Sequence, residues 1–263
     1  MNFRTIVDID KTNFQIEPME QMLFVGSCFA DSIGRRFQEE RFPVVVNPDG
    51  VMYNPVSILH TVQRIDCSPS VAFFTLGTNH VYRLKETGEI VDNCQKRPQR
   101  LFSEEELTVE QCVDALSECV RCLQQRRHSL RVFVSVSPIR YAKYGFHGSQ
   151  LSKATLLLAA EELVRHFPCV TYFPAYEIVL DELRDYRFYQ TDMLHPSAQA
   201  VEYIWERFVE VHFSPRAKQY LSEWKPIKEA LAHRPFNPES QEYQTFLEET
   251  RQRERDFLVR YNI

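Results

Sequence analysis

Three side chains, one near the start of the chain and two far along it, have the types and the order needed for acyl transfer. Ser27 lies between a short apolar run at 22–25 and a segment with apolar residues at every fourth position, which predicts a strand followed by a helix. Asp192 and His195 stand three residues apart. A histidine can take the proton of a serine hydroxyl, while a carboxylate orients the ring. The sequence therefore predicts a triad of Ser27, His195 and Asp192.

Each member of this triad also has a structural explanation. Serine is a favoured residue at the start of a helix, so Ser27 could serve only as an N-cap. Asp192 could likewise cap the turn before Pro196, which would leave His195 as a surface residue. The case for catalysis rests on the combination, because the three residues then have the order serine, aspartate, histidine on an α/β sheet.

An acyl-transfer site also needs hydrogen-bond donors for the negative oxygen of the tetrahedral intermediate. The backbone N–H of Ser27 is one such donor. Gly50 follows the second predicted strand and Asn79 the third, so a glycine N–H and a side-chain amide could complete the oxyanion hole. A position in a turn explains Gly50 and Asn79 equally well, because glycine and asparagine are typical turn residues. Asn54 competes for this role, although helix capping ahead of Pro55 already explains it.

Five apolar segments alternate with helical patterns and predict a sheet that is covered on both faces. The strands are expected at about 22–26, 43–46, 71–76, 131–137 and 169–173. Strands joined by helical crossovers run parallel, and such sheets bind ligands at the carboxyl ends of their strands. The expected fold class is therefore α/β, with three layers. Ser27, Gly50 and Asn79 all follow predicted strand ends, so we expect them on one rim.

An excursion from the sheet is expected between the third and fourth strands. Residues 81–84 and 89–91 are predicted to pair as a hairpin around Thr87 and Gly88. A long helix is predicted to begin at Ser103, because Ser103 and Glu106 have the spacing of a capping box.

The end of the chain differs in composition from the rest. Residues 214–263 are predicted to be helical, charged and aromatic. We interpret them as a helical C-terminal extension of an α/β domain that spans residues 1–213. Such an extension could cover the site or form a homo-oligomer interface.

The composition is that of an ordinary globular protein of 263 residues. A formal net charge of -5 without a basic block argues against nucleic-acid binding, and no apolar run is long enough to span a membrane. The first residues lack the apolar core of a secretory signal, and the seven cysteines are an odd number. We therefore expect reduced thiols and a cytoplasmic location.

No metal or cofactor is expected. Cys119 and Cys122 form a Cys-x-x-Cys with Cys112 on the same predicted helix face, but no second pair has zinc-ligand spacing. The sequence also lacks a glycine-rich phosphate loop. His60 and His147 are expected at the surface or at the edge of a pocket, where they would ligate nothing.

Residues 26–30 read Gly-Ser-Cys-Phe-Ala, the signature of the GSCFA domain family, which the chain resembles over about 20–235. Further shared motifs are Asn47-Pro48, Tyr53-Asn54-Pro55, Leu76-Gly77-Thr78, Asn93-Cys94, residues 136–140, residues 150–154 and residues 185–197. That family is similar to the SGNH hydrolases, whose fold is a flavodoxin-like three-layer sandwich with a parallel five-stranded sheet. The resemblance implies hydrolysis or transfer of an acyl ester, with an O-acetyl group on a carbohydrate as the favoured substrate class.

The SGNH blocks map onto this chain residue by residue. The first block, Gly-Asp-Ser, corresponds to Gly26, Ser27 and Cys28. Counting positions places Cys28 at the nucleophile, whereas chemistry selects the hydroxyl of Ser27, so we expect Ser27 and keep Cys28 as the alternative. The later blocks map to Gly50, Asn79, Asp192 and His195.

Four further residues are expected near the substrate. These are Cys28, Asn54, Arg140 and Lys153, although a solvated surface position explains the two basic residues equally well. The chain departs from its relatives at 66–70, where they carry a longer segment rich in histidine, serine and aromatic residues, and at Asn79, where they often carry a small apolar residue. The alternative function is therefore a sugar- or partner-binding module with a degraded site.

Overall fold

Strands and helices alternate along most of the chain in the computed structural model, which describes residues 4–94 and 97–262. The strands are β1 (Met22–Gly26), β2 (Val44–Val46), β3 (Val71–Leu76), β4 (His80–Leu84), β5 (Ile90–Val91), β6 (Phe102–Glu106), β7 (Arg131–Val136) and β8 (Val170–Tyr172). The helices are α1 (Cys28–Glu39), α2 (Pro55–Arg64), α3 (Val109–Arg126), α4 (Gly145–His166), α5 (Ala175–Glu177), α6 (Ala198–His212), α7 (Pro215–Ala232) and α8 (Gln241–Tyr261). A π-helical turn, Ile178–Leu183, continues α5.

The central sheet has five parallel strands in the order β2-β1-β3-β7-β8. This is the flavodoxin-like strand order, so the predicted fold class is confirmed. The register pairs Gly26 with Thr75 and Leu76 with Val136. The ends of β1, β3 and β7 therefore meet at one edge, which we call the carboxyl edge.

Helices cover both faces of this sheet because the side chains of its strands alternate. In β1, Met22 and Phe24 pack with α1, α6 and α7, whereas Leu23 and Val25 pack with α2, α3 and α4. All four side chains are buried. A strand covered on both faces has a continuous apolar sequence, and this is why β1 was predicted with the correct bounds.

The smaller sheet is antiparallel, in the order β5-β4-β6. The predicted hairpin is confirmed as β4 and β5, which pair around 83 and 90. The predicted long helix is present as α3, but its predicted start at Ser103 is wrong, because residues 102–106 form β6 and pair with β4. The capping box lies further along, where Thr108 and Gln111 start α3.

The C-terminal region is helical, as predicted. In α7, Tyr220 and Trp224 are buried in the same cluster as the apolar face of α1, and Phe257 of α8 packs against both rings. In the described part of the chain, none of the helices combines the length and apolarity that crossing a membrane requires.

Candidate active site

The turn from β1 into α1 is built around a glycine at the carboxyl edge. Gly26 has a φ of +148°, and a Cβ at this position would lie 2.2 Å from the carbonyl oxygen of Thr75. The side chain of Asn47 holds the turn, since its Oδ1 accepts the Gly26 N–H at 2.8 Å and its Nδ2 donates to Asp31 at 2.6 Å. Neither a larger residue at 26 nor a free rotation of Asn47 fits this arrangement.

Ser27 is the N-cap of α1. Its side chain is fully buried, and its Oγ accepts the N–H of Phe29 at 3.2 Å and lies 3.1 Å from Oγ1 of Thr75. Its own N–H donates to the Thr75 carbonyl at 3.0 Å. Both polar groups of Ser27 therefore have partners within the fold, and neither faces solvent. Its predicted roles as nucleophile and as oxyanion donor stay predictions.

Cys28, the next residue, is the partly exposed first residue of α1. Its backbone N–H has no partner within the helix, as at every helix start. Its Sγ lies 3.9 Å from the hydroxyl of Tyr53. Burial raises the pKa of the Cys28 thiol, the Tyr53 hydrogen bond opposes that shift, and the charge of Asp31 adds to it. The thiol is therefore protonated at neutral pH and needs a base before it can attack a carbonyl.

Asp192 and His195 form a hydrogen-bonded pair in the loop before α6. Nδ1 of His195 lies 2.6 Å from Oδ2 of Asp192, while Oδ1 accepts the N–H groups of Leu194 and His195 at 2.8 and 3.0 Å. These backbone hydrogen bonds, followed by that of the ring, lower the pKa of Asp192 to about 2. Because Nδ1 is occupied by the carboxylate, the other ring nitrogen, Nε2, is the one available as a base.

Arg140 fixes this loop to the carboxyl edge. Its backbone N–H donates to the carbonyl of Leu194 at 3.0 Å, and its guanidinium donates to that of Met193 at 2.9 Å. The guanidinium carbon lies 4.2, 5.9 and 5.5 Å from the ring centres of Phe146, Tyr186 and Tyr189. Arg140 borders a cleft of about 280 Å³ and so lies where a substrate could reach it.

The packing of α1 against α6 brings this loop toward Cys28. Both helices start at the carboxyl edge, and α6 ends at the opposite edge of the sheet. Arg36 of α1 pairs with Glu202 of α6 at 2.7 Å. Cys28 stands eight residues before Arg36, about 12 Å back along α1, and Ala198 starts α6 four residues before Glu202, about 6 Å back along that helix. The loop that carries His195 therefore enters α6 at the same edge of the sheet at which α1 starts.

Two predicted oxyanion donors have hydrogen-bond partners within the fold, and their roles in the oxyanion hole stay predictions. Gly50 is exposed, and its N–H donates to the carbonyl of Asn47 at 2.8 Å within a turn. The side-chain amide of Asn79 is buried and donates to the carbonyl of Leu107 at 2.9 Å. Both residues thus organise the loops after β2 and β3.

Two predicted substrate contacts are also structural. Asn54 is buried and caps α2, since its Oδ1 accepts the N–H of Ser57 at 2.9 Å. Lys153 is buried, and its ammonium donates to the carbonyls of Gly77 and Ser137 at 2.7 Å each. Burial lowers the pKa of Lys153 to about 7. Lys153 therefore links the two residues that directly follow β3 and β7.

Two tyrosines that the sequence analysis did not single out complete the surroundings of Cys28. The Tyr53 ring meets that of Tyr141 edge-on, with centroids 6.1 Å apart. The Tyr141 hydroxyl is buried without a hydrogen-bond partner among the described residues, and it packs against Gly77. Both tyrosines lie in loops, where no periodicity marks them. The only sequence signal was the position of Tyr53 within a motif shared with the resembled family.

Family models match most of the chain. One, described as the GSCFA family, matches residues 21–69 and 67–208. The chain belongs to the GSCFA family. A second model, described as the C-terminal domain of GSCFA domain proteins, matches residues 224–262 of this GSCFA protein. No curated protein matches the sequence.

Several solved structures resemble the GSCFA protein at low sequence identity. A putative platelet activating factor from Streptococcus pneumonia is 16% identical, with a TM-score of 0.47 over 74% of this chain and 85% of that one. A putative acylhydrolase from Bacteroides fragilis is 10% identical, with a TM-score of 0.48 over 80% and 91%. A family 3 carbohydrate esterase from Clostridium thermocellum is 13% identical, with a TM-score of 0.42 over 81% and 99%.

Proposed function

We propose that this GSCFA protein hydrolyses or transfers ester-linked acyl groups with Cys28 as its nucleophile. The observation that carries the proposal is the contrast between two adjacent residues. Ser27 is buried and hydrogen-bonded at both polar groups, whereas Cys28 is partly exposed at the start of α1. A nucleophile at a strand-to-helix turn on the carboxyl edge is held rigidly, next to the positive end of a helix.

The chemistry has two steps. In the first, His195 accepts the proton of the Cys28 thiol while Sγ bonds to the acyl carbon, and the same proton passes to the alcohol oxygen as its bond to carbon breaks. In the second, water or another alcohol attacks the thioester and gives a proton to His195, and the sulfur leaves and is reprotonated. Asp192 orients the ring and stabilises the imidazolium in both steps. Water as acceptor gives hydrolysis, and an alcohol gives transfer.

The substrate class that we propose is an O-acyl group, O-acetyl above all, on a carbohydrate. Carbohydrate esters need a site with hydrogen-bonding and aromatic groups around the acyl carbon. The cleft beside the His195 loop offers the guanidinium of Arg140 and the rings of Tyr186 and Tyr189. Rings of this kind stack on sugar faces, and the guanidinium can donate to sugar oxygens.

The test measures kcat/KM for p-nitrophenyl acetate and for acetylated oligosaccharides in four proteins. Cys28→Ala is expected to lose at least about 10³-fold, and His195→Gln a similar factor, because a base and its nucleophile act as a unit. Ser27→Ala is expected to stay within a few-fold of the wild type. Loss in Ser27→Ala with retention in Cys28→Ala would overturn the assignment. A folded wild type that cleaves none of these esters would instead indicate the non-catalytic binding module.

A further inference from the structure

The proposed reaction passes through an oxyanion, and the donors expected from the sequence to hold it are already engaged. Each donates to an acceptor within the fold. The acceptors are the Thr75 carbonyl for the Ser27 N–H at 3.0 Å, the Asn47 carbonyl for the Gly50 N–H at 2.8 Å, and the Leu107 carbonyl for the Asn79 amide at 2.9 Å. The Gly77 N–H, at the end of β3, donates to the Tyr53 carbonyl at 2.9 Å. A donor that has no acceptor within the fold is therefore the stronger candidate.

The hydroxyl of Tyr141 is a donor without an acceptor. Its oxygen is buried and has no hydrogen-bond partner among the described residues. Burying a hydroxyl without a partner is unfavourable, so such a group in a native fold calls for an explanation. A partner that arrives only with the substrate is one explanation, and the position of this hydroxyl supports it.

That position is next to the nucleophile. The Tyr141 hydroxyl packs against Gly77, where a Cβ would lie 2.5 Å from it. The Tyr141 ring meets Tyr53, whose hydroxyl contacts the Cys28 sulfur at 3.9 Å. Burial raises the pKa of Tyr141 well above its usual value, and a thiolate at Cys28 would raise it further. The hydroxyl therefore stays protonated through neutral pH and can donate.

The buried side chain of Lys153 lies close to the ring of Tyr141. The ammonium of Lys153 is 5.1 Å from the Tyr141 ring centre, and it is held there by the carbonyls of Gly77 and Ser137. When Lys153 is protonated, its positive charge close to the Tyr141 ring stabilises negative charge on an oxygen that accepts a hydrogen bond from the Tyr141 hydroxyl. The arrangement is preorganised, because both strand ends and the lysine are fixed before any substrate arrives.

We propose that Tyr141 is a catalytic residue whose hydroxyl donates to the oxyanion formed when Cys28 attacks the acyl carbon. The inference rests on the proposed function. The Sγ–C bond forms, the carbonyl π pair moves onto the oxygen, and the Tyr141 O–H bonds to that oxygen without giving up its proton. The backbone N–H of Cys28, at the start of α1, is the second donor. Tyr53, which contacts both Cys28 and Tyr141, is 41% exposed.

The first test is Tyr141→Phe, which deletes only the hydroxyl. The expected kcat for p-nitrophenyl acetate falls by about 10²-fold, the effect of removing one oxyanion donor. The melting temperature is expected to stay unchanged or rise, since the deleted group has no partner to lose. Tyr220→Phe is the matched control, because its buried hydroxyl donates to the Glu40 carbonyl at 2.7 Å. That variant should lose stability and keep its kcat.

The second test separates the oxyanion from the sulfur. Alkylation of Cys28 by iodoacetamide is a displacement at a saturated carbon and forms no oxyanion, so its rate in Tyr141→Phe should equal that of the wild type. Acylation by p-nitrophenyl acetate, measured before the steady state, should slow by the full factor. Equal acylation rates, or an equal slowing of both reactions, would overturn the role of Tyr141. Failure of the proposed function looks different, since Cys28→Ala would then keep its activity.

Discussion

The two ends of helix α1 differ in how their polar groups are satisfied. At the end of the helix the carbonyls of Glu39 and Glu40 accept hydrogen bonds from Trp224 and Tyr220 at 2.9 and 2.7 Å, and the Glu40 carboxylate pairs with Arg36 at 3.1 Å. Lys228 adds a further ion pair to the same carboxylate. This end, closed by the C-terminal extension, has its partners within the fold.

Near the start of the helix, two polar groups have a weak partner or none among the described residues. The Cys28 sulfur has one long contact, with Tyr53 at 3.9 Å, and the Tyr141 hydroxyl has no partner among the described residues. Ser27, one residue deeper, is fully satisfied. Polar groups that serve stability find partners in the fold, while groups that serve a reaction are left for the substrate. The predictions that follow test this difference between the two ends.

Trp224→Ala tests whether the closed end serves stability alone. Trp224 is buried at 2% exposure and packs against Phe257, so the truncation should cost about 3–5 kcal/mol of unfolding free energy in urea titrations. The kcat of the folded fraction should not change. Trp224→Phe, which keeps most of the packing, should lose clearly less. A tenfold drop in kcat at full folding would contradict the separation of the two ends.

His212, the last residue of α6, is a polar side chain that does not follow this pattern. It is fully buried next to Phe133, neither ring nitrogen has a partner among the described residues, and burial lowers its pKa from 6.5 to about 4. Between pH 6.5 and pH 4, His212 is protonated in the unfolded chain but not in the folded chain. The free energy of unfolding therefore falls as the pH drops from about 6.5 to 4.

The expected loss from His212 is about 3 kcal/mol, since each pKa unit is worth about 1.4 kcal/mol. Urea titrations at pH 7 and pH 4 measure this loss, and His212→Leu should remove it while leaving kcat unchanged. The same pH dependence in both proteins would show that His212 is not the group responsible. A change in the kcat of His212→Leu would contradict the comparison, because it would show that His212, which lies away from the start of α1, affects the reaction.

Ser27→Ala has the smallest expected effect. Loss of an N-cap costs about 1 kcal/mol, and the activity should stay within a few-fold of the wild type. Ser214→Ala is the matched control, because Ser214 is also buried and caps α7 through a hydrogen bond from the Ala217 N–H at 3.0 Å. Similar losses in both variants, measured by thermal unfolding, would show that Ser27 is a cap. A loss of activity in Ser27→Ala alone would not fit.

The sequence was most informative where the signal is local. A continuous apolar run marks a strand buried on both faces, so β1 and β3 were predicted with the bounds that the structure has. The capping spacing of Ser103 and Glu106 misled, because these residues pair with β4 across the small sheet. Pairing between distant strands overrides a local capping signal.

The site was only partly accessible to sequence reasoning. Strand ends placed Ser27, Gly50 and Asn79 on the carboxyl edge, but hydrogen bonding within the fold decides which groups are left over. Whether residue 27 or residue 28 faces solvent depends on the exact first residue of α1, and the sequence pattern does not fix that position to one residue. Tyr141 follows no pattern, and its importance comes from the absence of a partner, which only the three-dimensional structure reveals.

The measurement that tests the central claim most directly is the location of the acyl group on the protein. The wild type is mixed briefly with p-nitrophenyl acetate, quenched in acid, digested and mapped by mass spectrometry. The account predicts one acetyl group on Cys28, removed by neutral hydroxylamine as a thioester is. An acetyl group on Ser27, stable to that treatment, would contradict the account.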